Sequence, residues 1–210
     1  MTITTSIKNN GTMELTERMH MNASQPIEEI DPTMIILQEQ VDTLKVPVAF
    51  NLTRDPDNIR KAYIDWKMKE DARYSLSIDS MAFKSVYDVF NDSTGISFKT
   101  RNEDHYSIIE ITFDRMPSCP LIVQILKGDK ENVVKQVILT ESNVATIDYL
   151  LPDKYKIKVI YDRNGNGKWD TGNYSKRIQP ERVEYFDEPE ITTNSSVTTE
   201  LQWSLKGDGY

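Results

Sequence analysis

The chain has 210 residues, of which 38% are hydrophobic and 28% are charged, and its formal net charge at pH 7 is -8. This length is enough for one large domain or two small ones. An acidic surface repels phosphate backbones, so we expect no nucleic-acid partner. No stretch approaches the roughly 18 consecutive apolar residues of a membrane helix, so we expect no transmembrane segment.

The first residues of the chain have the composition of a β-strand rather than of a signal peptide. We therefore expect the sequence to start inside a larger protein, with an N-terminally truncated first domain. Apolar Met13, Leu15, Met19 and Met21 alternate with polar residues and predict one half-buried strand, with a bulge or strand end near Glu17.

Further short strands follow up to residue 101. Residues 27–31 read as a single helical turn before Pro32, and residues 80–92 as a helix-like opening followed by an irregular loop. Pro47 fits an edge strand better than a central one. Tyr74, Leu76 and Ile78 alternate with polar residues and predict a strand with one buried face. Short strands separated by turn residues are typical of a β-sandwich.

A polar segment at residues 100–104 predicts a boundary between two domains, 1–101 and 105–204, followed by a frayed tail at 205–210. The second half repeats the alternating pattern, which makes the predicted fold class all-β, with two consecutive β-sandwich domains. The apolar faces of its strands are predicted at Ile109, Ile111 and Phe113, at Ala145, Ile147 and Tyr149, and at Tyr155, Ile157, Val159 and Tyr161.

The segment after this last strand matches a calcium-binding loop. In a 12-residue calcium loop, oxygen ligands come from positions 1, 3, 5, 7, 9 and 12, with glycine at position 6. Position 12 is Asn173 rather than a bidentate glutamate, so the site would be weak, with a dissociation constant of about 10⁻⁴–10⁻³ M. Glu181 or Asp187 are candidates for a further ligand. The predicted Ca²⁺ ligands are Asp162, Asn164, Asn166, Lys168 through its carbonyl, and Asp170.

The same residues also fit a loop that needs no ion. Asp and Asn side chains accept hydrogen bonds from the backbone two residues on, and Gly165 and Gly167 supply positive φ angles. The sequence leaves both interpretations open.

The chain carries no nucleophile or phosphate-loop signature, so we expect no enzymatic activity and assign no catalytic residue. Trp66, Trp169, Tyr174 and Tyr185 are candidates for a sugar-stacking surface, because exposed aromatic rings stack on sugars. Of these, Trp169 and Tyr174 are the candidate ligand-binding residues beside the loop. The alternative is that these rings pack in the core, which is the commoner role of aromatic side chains on strands.

Residues 155–180 resemble the C-terminal region of Ig-like-domain lipoproteins from the Bacteroidota cell envelope. The most specific part is the stretch Asp162-Arg-Asn-Gly-Asn-Gly-Lys-Trp-Asp170, and residues 197–203 are similar to the closing strand of that family. Residues 24–27 and 74–101 resemble a bacterial Ig-like domain of the S-layer-protein type.

This resemblance implies an Ig-like sandwich followed by a transthyretin-like (prealbumin-like, carboxypeptidase-regulatory-like) sandwich. It also implies an extracytoplasmic lipoprotein associated with the outer membrane or cell surface. The favoured interpretation is a non-enzymatic cell-envelope module with a structural, scaffolding or adhesive role. The alternative is a calcium-assisted carbohydrate- or protein-binding module, whose partner would be a cell-surface protein or a glycan. The sequence indicates no particular oligomeric state.

Overall fold

The computed structural model describes residues 1–206 of the chain. The chain divides into two compact units, Met1–Glu103 and a second unit that begins at Asp104. Helical structure in residues 1–206 is limited to two 3₁₀ turns, Pro32–Met34 and Glu103–His105. The predicted all-β class is confirmed. Neither 3₁₀ turn of residues 1–206 has the length or hydrophobicity of a membrane-spanning helix.

The first unit consists of short strands connected by turns. In chain order they are β1 (Ile3–Thr5), β2 (Gly11–Met13), β3 (Met19–Ala23), β4 (Ile27–Ile30), β5 (Ile35–Val41), β6 (Leu44–Pro47), β7 (Asn51–Arg54), β8 (Lys61–Asp65), β9 (Arg73–Ile78), β10 (Phe83–Ser85) and β11 (Thr94–Thr100). They form a four-stranded sheet in the order β1-β3-β8-β7, a five-stranded sheet in the order β2-β11-β9-β5-β6, and a two-stranded sheet of β10 and β4.

The sheets of the first unit pack over one hydrophobic core, as in a β-sandwich. The core combines Met19 and Met21 of β3 with Leu37 of β5 and with Leu76 and Ile78 of β9. Burial alternates along β9, because successive side chains of a strand point to opposite faces. The predicted face of this strand is therefore confirmed.

Three local predictions in this unit are wrong. The methionine-rich segment is two strands in different sheets rather than one, since β2 ends at Met13 and β3 begins at Met19, whereas the interruption expected near Glu17 is confirmed. Residues 27–31 form no helical turn, because Ile27–Ile30 pairs with β10. Residues 80–92 have no helical opening and instead contain Phe83–Ser85.

The second unit has longer strands. In chain order they are β12 (Ser107–Phe113), β13 (Leu121–Lys127), β14 (Asn132–Leu139), β15 (Val144–Leu150), β16 (Lys154–Tyr161), β17 (Val183–Tyr185), β18 (Ile191–Thr192) and β19 (Thr198–Trp203). One sheet has the order β15-β12-β19, and the other has the order β14-β13-β16-β17, with β18 also paired to β16.

The core of the second unit lies between these two sheets and contains the alternating apolar residues that the sequence predicts for β12 and β16. Tyr149 is the exception. A register irregularity between β12 and β15, together with a positive φ of 48° at Tyr149, places Leu150 in the core and leaves Tyr149 36% exposed. The predicted inward position of Tyr149 is therefore wrong.

The predicted frayed tail at 205–210 is wrong for its first two residues. Leu205 is buried in the core, and the backbone N–H of Lys206 donates to Glu184 Oε2 at 3.1 Å. The remainder of that segment, residues 207–210, lies outside the described residues.

Each unit is closed by parallel pairing between a strand near its start and its last strand. In the first unit, β2 pairs with β11 from Gly11↔Phe98 to Met13↔Thr100. In the second unit, β12 pairs with β19 over six registered positions, from Ile108↔Thr198 to Phe113↔Trp203. All other pairings of named strands are antiparallel.

The candidate ion-binding loop

The loop of residues 162–170 starts where β16 ends. Alternating Lys and apolar residues in β16 place Tyr155, Ile157 and Val159 in the core, and the strand delivers Asp162 to its end. The backbone N–H of Asp162 donates to Pro120 O at 3.0 Å, which fixes this end against the chain before β13. Asp162 is only 1% exposed.

The carboxylate of Asp162 organises the turn. Its Oδ1 accepts the backbone N–H of Asn166 at 3.1 Å, and its Oδ2 accepts that of Gly167 at 2.8 Å. Gly167 has a φ of 74° and lies against β14, where an added Cβ would stand 3.3 Å from Cδ1 of Ile138. Because a buried carboxylate needs hydrogen-bond donors, these two amides stabilise Asp162 in place.

The asparagines extend the same pattern. Asn164 Oδ1 accepts the N–H of Asn166 at 3.0 Å, and Asn166 Oδ1 accepts the N–H of Lys168 at 2.8 Å. The Nδ2 groups of both asparagines donate to Asp170 Oδ2, at 2.5 and 2.8 Å. The structure therefore brings together Asp162, Asn164, Asn166 and Asp170, with their polar groups engaged in hydrogen bonds inside the loop.

Glu181 clamps the loop from outside. It is 7% exposed, and its two oxygens accept the backbone N–H groups of Arg163, at 2.9 Å, and Asp170, at 3.1 Å. The backbones of Glu181 and Asp170 are also joined by a 3.0 Å hydrogen bond, and Trp169 Nε1 donates to Glu181 O at 3.0 Å. The sequence suggested Glu181 only as a further ion ligand, because no local pattern links it to amides 11 and 18 residues away.

Asp187, the other suggested ligand, pairs with Lys206 at 3.1 Å. Its role as a further ion ligand stays a prediction.

An ion at this loop would have to share oxygens that already accept hydrogen bonds. Asn164 and Asn166 direct their nitrogens, not their oxygens, toward Asp170, so both side-chain amides would have to reorient to coordinate a cation. Residues 1–206 contain no group of three or more His, Cys, Asp or Glu residues placed to hold a metal. The arrangement fits a self-capped loop, that is, a loop held by its own hydrogen bonds without an ion. Calcium binding stays a prediction.

The two candidate aromatic residues differ in their exposure and in their contacts. Trp169 is 48% exposed and tied to Glu181 by its indole N–H, whereas Tyr174 is fully exposed and starts a turn that Arg177 closes. Among the ring pairs of the described residues, none joins Trp169 to Tyr174. Their role in ligand binding stays a prediction.

No protein-family model matches the chain. No curated protein matches it either. Similar solved structures include the TIE protein of Bacillus anthracis, at 10% identity and a TM-score of 0.27, where the match covers 97% of this chain and 40% of that one. This chain thus spans less than half of that protein.

Two further similar structures are pilus proteins. The major pilin subunit BcpA of Bacillus cereus is 10% identical with a TM-score of 0.32, and the match covers 97% of this chain and 70% of that one. The pilus 2b backbone protein of group B streptococcus is 9% identical with a TM-score of 0.26, and the match covers 96% of both chains. At these values, the likeness identifies no family and assigns no function.

Proposed function

We propose that the chain is a non-enzymatic structural module of the bacterial cell envelope that carries tension between its two ends. The observation that supports this role is the parallel pairing of an early strand with the last strand in each unit. The envelope setting comes from the sequence resemblance to Bacteroidota lipoproteins, and the tension-bearing role from the strand order.

Parallel pairing matters because of the direction in which force reaches the strands. Pulling the start of β12 and the end of β19 slides the two strands past each other along their length. The hydrogen bonds between them run across the pull, so they share the load and must break together. If the two strands were instead pulled from the same end, the bonds would break one after another at lower force.

The strand ends of the second unit are tied further by Asp114, the residue after β12. Its backbone N–H donates to Trp203 O at 3.1 Å, its Oδ2 accepts the hydroxyl of Ser204 at 2.7 Å, and its Oδ1 accepts the N–H of Leu205 at 3.3 Å. The Ser204 hydroxyl is the main reason that the pKa of Asp114 is lowered. Arg115 adds a hydrogen bond from Nη2 to Leu205 O at 3.2 Å.

The first unit has a shorter version of this closure. Beyond the paired residues, Asn10 N–H donates to Ser97 O at 2.6 Å, and Ser97 N–H donates to Asn9 Oδ1 at 2.8 Å. At the other end of the pair, Arg101 N–H donates to Met13 O at 3.0 Å. With three registered pairs rather than six, this closure is expected to be the weaker one.

Pulling on the two ends of the full chain in a single-molecule force experiment tests this role. We expect two separate unfolding events, with the first unit unfolding at the lower force. A single gradual extension without force peaks would contradict a tension-bearing role. A Leu44→Ala variant, changed at an exposed position of edge strand β6, is the matched control and should leave both events in place.

The second candidate function is a calcium-assisted module that binds a carbohydrate or a protein. The observation that favours it is the convergence of the side chains of Asp162, Asn164, Asn166 and Asp170 on one loop. The calcium titration described in the Discussion tests it.

A further inference from the structure

The outer face of the five-stranded sheet in the first unit carries a row of three cations. In the strand register, Lys45 of β6 lies opposite Gln40 of β5, Gln40 lies opposite Arg73 of β9, and Arg73 lies opposite Lys99 of β11. Adjacent strands are about 4.8 Å apart, so the row spans roughly 14 Å. All three cationic residues are exposed.

This row lines a groove of about 420 Å³. Its lining residues are Asn10, Gly11, Gln40, Lys45, Arg73, Tyr74, Ser75, Ser97, Phe98 and Lys99. No carboxylate is among them, although the chain as a whole has 33 Asp and Glu residues against 25 Lys and Arg.

The three cations are not neutralised by the protein itself. Within residues 1–206, Lys45, Arg73 and Lys99 take part in no ion pair. Arg73 and Lys99 face each other directly across the strand pair, and like charges in that position destabilise a sheet. An anion placed over the row would relieve this repulsion.

The rest of the groove restricts the kind of anion. Tyr74 and Phe98 border the groove, but their rings are buried in the core and stack on each other at 5.6 Å, so they offer no apolar side-chain pocket there. The remaining lining groups are the amides of Asn10 and Gln40 and the hydroxyl groups of Ser75 and Ser97. Such a surface suits a ligand rich in hydroxyl groups.

An adjacent depression limits the position of the negative charge. It shares Gln40 and Arg73 with the groove but also contains Asp42, Glu70 and Asp71. These carboxylates repel an anion on that side. The anionic group of the ligand therefore belongs at the cation row, with its neutral body over the two serines.

We propose that this groove binds an acidic oligosaccharide, whose carboxylate or sulfate group lies on Lys45, Arg73 and Lys99. A volume of about 420 Å³ is within the usual range of roughly 300–1,000 Å³ for small-molecule sites. Charge-assisted hydrogen bonds from the guanidinium and ammonium groups supply the affinity, and the hydroxyl and amide groups of the groove bind the sugar hydroxyls. This site is independent of the proposed tension-bearing role.

Calorimetric titration of the full chain at low salt tests the assignment. The probes are a short oligogalacturonate for the carboxylate, a sulfated dextran oligosaccharide for the sulfate, a neutral dextran oligosaccharide, and oligoglutamate. We expect at least one acidic saccharide to bind, the neutral saccharide not to bind, and oligoglutamate to bind more weakly.

The deciding variant is the double substitution Arg73→Gln with Lys99→Gln. It should weaken binding of the acidic saccharide by at least about tenfold. The control, Lys130→Gln with Lys176→Gln, removes the same charge from exposed positions of the second unit and should leave binding unchanged. The proposal is overturned if neither acidic saccharide binds, if both double variants lose equal affinity, or if oligoglutamate binds as tightly as the saccharide.

Discussion

The ring of Phe113 lies 5.7 Å from the ring of Trp203, at the end of the parallel pair formed by the first and last strands of the second unit. Both side chains are buried, and the ring of Phe186 meets Trp203 edge-on at 5.2 Å. This aromatic cluster holds together two strands that lie far apart in the sequence.

Removing the Phe113 ring should therefore weaken the second unit. For Phe113→Ala we expect a loss of about 3–5 kcal/mol in the free energy of unfolding, because a large buried side chain leaves a cavity. Urea unfolding followed through the amide NMR signals of residues 104–206 measures this loss. The control is Val133→Ala at an exposed position of β14, which should change stability little. A loss as small for Phe113→Ala as for the control would show that the ring does not hold the pair together.

The carboxylate of Asp114 makes the stability of the second unit depend on pH. Its native pKa is lowered by the Ser204 hydroxyl and the nearby backbone N–H groups, so it lies below the unfolded value of about 3.9. The stabilisation is complete above that unfolded value and is lost as the pH falls through the native pKa.

The corresponding experiment measures the melting temperature between pH 7 and pH 2. Asp114→Asn should have a lower melting temperature than the wild type at pH 7. The difference in melting temperature should disappear as the pH falls below about 4. Asp129→Asn, at an exposed turn residue, is the control and should show no such convergence. A gap that stayed constant with pH would rule out a contribution from the Asp114 carboxylate.

Glu181 should be required for the shape of the 162–170 loop. In Glu181→Ala, the part-buried amides of Arg163 and Asp170 lose their acceptor, and a hydrogen bond of this kind contributes about 0.5–1.5 kcal/mol to stability. Hydrogen exchange at these two amides should become faster, whereas Glu188→Ala, at an exposed position, should leave it unchanged. Unchanged protection in Glu181→Ala would mean that the loop is held without this clamp.

Calcium titration distinguishes a metal site from a self-capped loop. If the dissociation constant is about 1 mM, about 10 mM calcium should stabilise the second unit by about 1.4 kcal/mol. The gain should disappear in Asp170→Asn but persist in Asp187→Asn, since Asp187 lies outside the loop and pairs with Lys206. No gain at this calcium concentration would leave the hydrogen bonds of the loop as its only support.

The repulsion between Arg73 and Lys99 can be turned into an attraction. Lys99→Glu should raise the free energy of unfolding of the first unit by about 0.2–1 kcal/mol, because opposite charges across a strand pair are stabilising. The same change should remove binding of acidic saccharides to the groove. A destabilised variant would show that the two side chains do not interact across the strands.

The faces of the regular strands were predictable from sequence, because burial with a period of two is a local property. Ile109 and Ile111 of β12 and Ile157 and Val159 of β16 lie in the core as the pattern indicates. The spacing of Ile27 and Ile30 is equally compatible with one helical turn, and only pairing with the distant strand β10 decides it. Tyr149 was predicted to face the core but is partly exposed, because the β12–β15 pairing contains a register irregularity that the sequence pattern does not reveal.

The candidate loop was predictable only in its local part. The hydrogen bonds of Asp162, Asn164 and Asn166 follow from residue types a few positions apart. The clamp by Glu181 depends on a chain reversal within residues 171–180, and the row of Lys45, Arg73 and Lys99 depends on strand register. Both are products of the tertiary fold.

The load-bearing role of the parallel β12–β19 pair can be tested by unfolding the second unit by force in two attachment geometries. Both use the Cys119→Ser variant, so that the introduced cysteines are the attachment points. Attachment through cysteines introduced at Asp104 and Lys206 loads β12 and β19 along their length. Attachment through cysteines introduced at Asp104 and Ser195 peels the same strands apart from one end, because residue 195 precedes the start of β19. We expect a higher unfolding force for the first geometry, and equal forces in the two geometries would show that the parallel pair does not bear the load.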